Sequence, residues 1–429
     1  MMKKLYKIDE NVILQNGIIY DPFENKKYKS DIYIKNGLIK KIEENIKSND
    51  GLIIDCNNKI ITTGFVDIHA HFREPGQENK ETIKTGSMSA MAGGFTDVCI
   101  MPNTSPPIDS PEAIRFVLDK AAALPINIHP IGAITRSQLG KEISEIGGMV
   151  KNGAVAISDD GLPVVNGNVL RFALEYSKMF DIPVINHAED VCLRANGMIN
   201  EGYISTILGL DGNPDISEST MIYRDLSIAE YVGGKIHIPH VSSAKSVDII
   251  KEFKDRGVNV TAEVTPHHLF ANEEILLNYN SNAKVAPPIR TENDRLALVK
   301  GLQSGVIDCI ATDHAPHAIE DKECDFEQAC CGTIGLETAF SLSYEALVKN
   351  GSSIEDLIRW FTLNPSKIVG IKKHGIVVDK MADICIIDIE KEWTLSNKDI
   401  YSKSDNTPFI GTKFSTFVDS VISKGYFFK

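Results

Sequence analysis

The chain has 429 residues, 43% of them hydrophobic and 24% charged, with a formal net charge of −13. This is the composition of an ordinary soluble globular protein, and it excludes a disordered chain, a collagen-like repeat and a coiled-coil rod. A chain this acidic also lacks the basic face that general nucleic-acid binding or an anionic membrane surface requires.

No stretch approaches the roughly 20 apolar residues that span a bilayer. The N-terminus carries two lysines but no continuous apolar core after them. The expectation is an untargeted, cytoplasmic protein. The eight cysteines (Cys56, Cys99, Cys192, Cys309, Cys324, Cys330, Cys331, Cys385) show no C-x-x-C and no zinc-ribbon spacing. They are read as free thiols of a reducing compartment.

Residues 1–60 read as short strands and turns. Asn16-Gly17 and Asn36-Gly37 are hairpin dipeptides flanked by Ile-rich runs. From Thr63 the pattern changes. Eight apolar runs end in polar residues: GFVDIHAHFR, FTDVCIMPNT, INIHPIGAIT, GAVAISDDG, IPVINHAED, KIHIPHVS, NVTAEVTPHH and VIDCIATDHAPH. Helical stretches separate them, such as Ser110–Leu124, Gly167–Phe180 and Ala244–Gly257. The first has Ser110 as N-cap and Pro111 at the first helical position. Strand alternating with helix means a parallel sheet, and eight such units predict an α/β fold, a (β/α)₈ TIM barrel. Near Gly370 strand-like sequence returns. Both chain ends are expected to build one small β-sandwich domain. The expected division is 1–60 and 371–429 for that domain, and 61–370 for the barrel.

In such a barrel the active site lies at the C-terminal strand ends. His69, Arg73, Asn103, Asp159, Asp160, His187, Glu189, His240, His267, His268, Asp313, His314 and His317 all fall at or just past the ends of the runs. His69 and His71 are two apart, so on a strand they face the same way. Two imidazoles at a barrel mouth, with carboxylates nearby and no thiolate, suit Zn²⁺ with room for water. His129 and His237 lie within strands and read as satisfied core residues, and His374 as exposed. His314 reads as orienting Asp313 or packing behind it. Lys151 reads as surface, and the charged stretch Ile319–Gly332 as a solvated loop or a lid.

TGFVDIHAHFREPG, MPNTSPP, SDDG, NHAED, HVSSAKS, TPHHL and TDHAPH, in this order, closely resemble the amidohydrolase superfamily and, within it, the type I dihydroorotases. The resemblance covers nearly the whole chain. It implies one or two zinc ions, with two expected. His69 and His71 would hold the first, and His187 and His240 the second. An aspartate from the D-D-G segment would bridge them. Family spacing places the bridge at Asp160, 27 residues before His187, with Asp159 as runner-up. Asp313 would contact the first metal and shuttle the proton. His71, Arg73, Asn103, His317 and the backbone of Cys331 and Gly332 would hold the substrate.

The implied reaction is reversible cyclisation of N-carbamoyl-L-aspartate to dihydroorotate and water, in pyrimidine biosynthesis. The substrate carries a carboxylate, which the Arg73 fork can pair. Two departures from the family pattern bear on substrate fit. Ala286 stands where asparagine is common, and Cys331-Gly332 where Phe-Gly is common. The alternatives are a related cyclic-amide hydrolase (hydantoinase, dihydropyrimidinase, allantoinase) or a non-catalytic homologue that scaffolds aspartate transcarbamoylase. Asp160 and Arg73 argue against the first, and the full ligand set against the second. A homodimer is the expected assembly, and a competent enzyme can still associate with aspartate transcarbamoylase.

Overall fold

The computed structural model describes residues 3–8, 11–47 and 51–429. Each of the eight apolar runs carries a strand: β1 (Phe65–Ala70), β2 (Phe95–Ile100), β3 (Asn127–Pro130), β4 (Ile157–Ser158), β5 (Val184–Ile185), β6 (Ile236–Ile238), β7 (Val260–Val264) and β8 (Cys309–Ile310). β1 to β3 pair in parallel, as do β4 to β8. Parallel bridges Gly132–Ile157 and Ala70–His314 join the two sets and close the barrel. The barrel interior is apolar below the mouth, with Cys99, Ile131, Ala156, Ile185, Cys309 and Ala311 packed together.

The helices between strands start where the sequence caps them. Ser110 caps Pro111–Ala121 by accepting from the Ala113 amide, and Ser243 caps Ala244–Asp255 by accepting from the Ser246 amide. A helix over Gly167–Ser177 continues as one 3₁₀ turn to Phe180. Among the described residues no helix is long and apolar enough to cross a membrane.

The two chain ends meet in a seven-stranded sheet. Its order is Leu5–Lys7, Tyr426–Phe428, Phe417–Ser423, Ile384–Asp388, Lys59–Thr63, Ile18–Asp21, Lys26–Lys29. A four-stranded sheet of Leu38–Glu43, Asp31–Lys35, Val12–Gln15 and Leu52–Asp55 faces it. Strand alternation separates two cores here. Ile384, Ile386 and Ile422 pack with Val12, Leu14 and Ile32 inside the sandwich. Cys385, Ile387, Val421 and Phe428 turn the other way, into the core shared with the barrel. All eight cysteines are free.

Asn36-Gly37 forms the two-residue hairpin that its sequence predicts, with Lys35 paired to Leu38 and positive φ at both residues (53° and 74°). Asn16-Gly17 does not. It passes the chain from one sheet to the other, because both strands beside it already have partners on each edge. Gly17 is needed there for space: a Cβ would lie 2.3 Å from the Ile61 side chain.

A buried charge cluster ties the barrel floor to the segment entering the last strands. The Lys373 ammonium, 3% exposed, donates to Asp97 (2.7 Å) and Asp383 (2.5 Å), and His129 donates to Asp97 (2.9 Å). Burial opposes the Lys373 charge, but the two carboxylates outweigh it and raise its pKa. Lys373→Met leaves the buried Asp97 and the half-buried Asp383 short of their cation. The expected loss is about 3–5 kcal/mol of unfolding free energy by urea titration. A loss under ~1 kcal/mol, as for a surface pair, would contradict this.

Candidate metal centre

At the barrel mouth one carboxylate sits among four imidazoles. Asp160 Oδ2 lies 3.4 Å from Nε2 of both His69 and His71. Its Oδ1 lies 3.4 Å from His240 Nε2 and 3.7 Å from His187 Nδ1. All five residues are buried. They form two groups able to hold a metal ion, His69–His71–Asp160 and Asp160–His187–His240. Each side chain arrives from a different part of the mouth: His69 ends β1, Asp160 follows β4, His187 follows β5 and His240 follows β6.

Asp159 points elsewhere. Its carboxylate accepts from the Thr135 amide (3.0 Å) and from the Thr135 hydroxyl. Burial pushes its pKa up to about 6, against those hydrogen bonds. Lys151 ends a short helix, Ile146–Lys151, and is exposed.

The outward nitrogens of the first pair are already used. His69 Nδ1 donates to Glu263 Oε1 (2.6 Å), and His71 Nδ1 donates to Asn103 Oδ1 (2.8 Å). Their Nε2 atoms therefore face carboxylates: Asp160 at 3.4 Å for both, and Asp313 Oδ1 at 3.5 Å and 3.0 Å. A lone pair turned toward a carboxylate needs a proton or a cation between them. His69 Nε2 and Asp160 Oδ1 are buried with no hydrogen-bond partner. His187 Nδ1 and His240 Nε2 also face each other, at 3.0 Å.

The pKa directions agree with this geometry. Burial disfavours charge on His69, but Asp160, Glu263 and Asp313 outweigh it and hold its pKa well above the usual value. Burial likewise opposes charge on His187, yet Asp160 and Glu189 raise its pKa to about 10. In the metal-free chain His187, with its pKa near 10, holds a second proton at pH 7, and the upward shift of His69 has the same sign. Metal ligation needs the neutral ring. Metal loading at pH 7 is thus expected to release at least about one proton per chain, with affinity rising as pH rises through neutrality. Calorimetric zinc titration in buffers of different ionisation enthalpy measures this; zero release would contradict it.

Asp313 follows β8 and contacts the first histidine pair through Oδ1. Arg73, His240 and Asp313 all have positive φ (60°, 34° and 47°). Non-glycine residues in that region are strained and collect at functional sites. The strand below is fixed by Asp67, which accepts from the Thr312 amide (3.0 Å) and hydroxyl (2.5 Å). His314 turns away from the centre. It accepts from the Gly335 amide on Nδ1 (3.1 Å), so its Nε2 proton faces Glu81 (3.4 Å).

Arg73 is 8% exposed, and among the described residues no carboxylate pairs with it. Its Nε donates to the Pro316 carbonyl (3.1 Å). His317 lies beside it and donates Nε2–H to the Cys331 carbonyl (2.9 Å). Burial, with Arg73, Lys80 and Lys322 nearby, lowers the His317 pKa to about 3, so the ring is neutral. A buried, unpaired guanidinium beside a neutral imidazole is a place for an anion. Gly332 has φ 140°, and a Cβ on it would meet Ala315 and His317 at 2.9 Å. Asn103 Nδ2 faces Gly161.

His267 and His268 lie on a short helix, Pro266–Phe270, outside both metal groups. His268 bonds to Thr265 (2.7 Å) and the Pro287 carbonyl (3.1 Å). His129 and His237 are satisfied, the latter by Thr261 (2.8 Å) and Glu263 (3.0 Å). His374 is half-buried rather than exposed, because its ring turns back to the Gly375 carbonyl. Glu263 was missed in the sequence. It orients His69 and His237 together, and the signal was one carboxylate within the apolar run VTAEV.

A family model described as dihydro-orotase-like matches residues 58–246. The chain is 46% identical over 422 residues to a dihydroorotase of Caldicellulosiruptor saccharolyticus, covering 97% of this chain and 98% of that protein. It is 44% identical over 401 residues to a dihydroorotase of Aquifex aeolicus, covering 93% and 94%. Among solved structures, the L-hydantoinase of Arthrobacter aurescens superposes with a TM-score of 0.84 at 23% identity, over 96% of this chain and 95% of that one. A D-hydantoinase gives 0.84 at 22%, over 97% and 95%. At that identity the likeness is one of fold.

Proposed function

The chain belongs to the dihydroorotase family, and on that premise we propose that it interconverts N-carbamoyl-L-aspartate and dihydroorotate, with zinc as cofactor, in pyrimidine biosynthesis. One observation carries the reading: a single carboxylate, Asp160, stands between two histidine pairs, and an unpaired Arg73 waits beside it. The donor set fits two zinc ions, since imidazoles and carboxylates converge with their inward atoms unpaired. His69, His71 and Asp160, with Asp313 near, would hold one ion, and Asp160, His187 and His240 the other. Bound zinc would lower the pKa of a water and polarise the ring carbonyl.

The remaining steps fall to side chains. Arg73 would pair with the substrate carboxylate, with Asn103 and His317 beside it. The backbone at Cys331–Gly332 would line the ring. In hydrolysis the water oxygen bonds to the ring carbonyl carbon, and Asp313 takes the water proton. The ring C–N bond then breaks, and Asp313 gives that proton to the leaving nitrogen. Cyclisation runs these transfers backward: Asp313 takes the proton from the carbamoyl nitrogen as that nitrogen bonds to the carboxyl carbon, then gives it to the departing hydroxyl, which leaves as water. The reading takes 61–370 as the catalytic barrel and 1–60 with 371–429 as the sandwich. It includes a cytoplasmic homodimer, open to association with aspartate transcarbamoylase; sedimentation alone and with that enzyme tests both.

The substrate test compares dihydroorotate with dihydrouracil and hydantoin, which lack its carboxylate. Preference for dihydroorotate is expected; preference for the uncharged rings would support a hydantoinase-type enzyme instead. Arg73→Met is expected to lower kcat/KM for dihydroorotate by about 10²-fold, the worth of a lost charged partner. Uncharged rings should lose much less. Equal losses would make Arg73 structural.

A further inference from the structure

We propose that Asn406 and Lys322 form a brace that sets the position of His317 and of the Cys331–Gly332 backbone, separately from the metal ligands. The inference rests on the dihydroorotase reading of the site. The sequence made Ile319–Gly332 a solvated loop or a lid. The structure anchors it: Lys322, Phe326 and Ala329 are buried. The Lys322 ammonium, 3% exposed, donates to the carbonyls of Cys330 (2.7 Å) and Gly332 (2.9 Å), on either side of Cys331. Among the described residues no carboxylate pairs with it. A buried cation needs such partners, so the chain is held where its carbonyls can supply them.

Asn406 comes from the C-terminal stretch and is 3% exposed. Its Oδ1 accepts from the His317 amide (3.0 Å). Its Nδ2 donates to the carbonyls of Ala315 (3.0 Å) and Gly332 (3.2 Å). Its own carbonyl accepts from the Ile334 amide (3.1 Å) and the Thr333 hydroxyl (3.0 Å). One residue thus joins 315–317 to 332–334, and the His317–Cys331 hydrogen bond closes the ring. The stretch carrying Asn406 is fixed in turn by Glu81, which accepts from the Ser402 hydroxyl and the Lys403 amide. None of the hydrogen bonds named here involves Asp160 or the four histidines around it, so the brace bears on the substrate wall rather than on the metal ligands.

The test uses Asn406→Asp, which keeps the acceptor for the His317 amide but sets a carboxylate against two carbonyls. Asn406→Ala, Lys322→Met and Lys322→Arg accompany it. The expected result is a KM for dihydroorotate raised roughly ten- to a hundredfold, with kcat within about threefold and zinc content unchanged. Lys322→Arg should recover part of what Lys322→Met loses. Unchanged KM in both Asn406 variants, or zinc lost together with KM, would overturn the brace. Deuterium exchange needs no substrate. It should quicken in 315–334 of Asn406→Asp, and unaltered exchange there would also overturn the proposal. Wild-type failure on dihydroorotate would sink the functional reading alone, and the exchange result would still decide the brace.

Discussion

Asp313→Asn is expected to lower dihydroorotate turnover by about 10²–10⁴-fold, the usual worth of a general acid–base, with zinc content unchanged. The substitution is isosteric, and an amide cannot take up the water proton. Burial disfavours charge on Asp313, but His69, His71 and His240 outweigh it and hold its pKa well below the usual carboxylate range. The free chain therefore presents the base form near neutral pH. Its position is imposed rather than relaxed. The φ of 47° is held by Thr312 against Asp67 on one side and by His314 against the Gly335 amide on the other. Near-normal turnover by a zinc-loaded Asp313→Asn protein would remove it as the proton carrier.

The second large effect is expected at Asp160. Asp160→Ala removes the only side chain common to both metal groups. Zinc content should fall below one per chain, and turnover should be lost with it. His187→Ala removes a member of one group only, so its zinc content should approach one. Asp159→Asn should keep both ions, because Asp159 spends its oxygens on Thr135. Metal analysis of the three variants gives the order directly. Full zinc in Asp160→Ala, or loss in Asp159→Asn, would reverse the assignment between the two neighbouring aspartates.

Much of the frame was legible because it is local. Each barrel strand is an apolar run that ends in polar residues, and Ser110 and Ser243 mark helix starts by their own side chains. The strand-end rule then gathers His69, Asp160, His187, His240 and Asp313 without any knowledge of pairing. What escaped depends on contacts between distant residues. Glu263 lies 194 residues from His69, and Asn406 lies 89 from His317. Nothing in VTAEV or DNTPF says which strand end the side chain will meet. Asn16-Gly17 has good hairpin chemistry, but hairpin formation also needs free strand edges, and the sheet partners took them. Lys322 looked solvated because its neighbours in sequence are charged. Its partners are backbone carbonyls, which no residue name reveals.

The decisive experiment is dihydroorotate hydrolysis by the purified, zinc-supplemented protein. It is followed as loss of substrate, then repeated after chelation and after zinc is returned. Turnover should vanish with the chelator and come back with zinc. A folded, zinc-loaded protein that leaves dihydroorotate intact, or one whose turnover ignores the chelator, would contradict the zinc-dependent dihydroorotase reading.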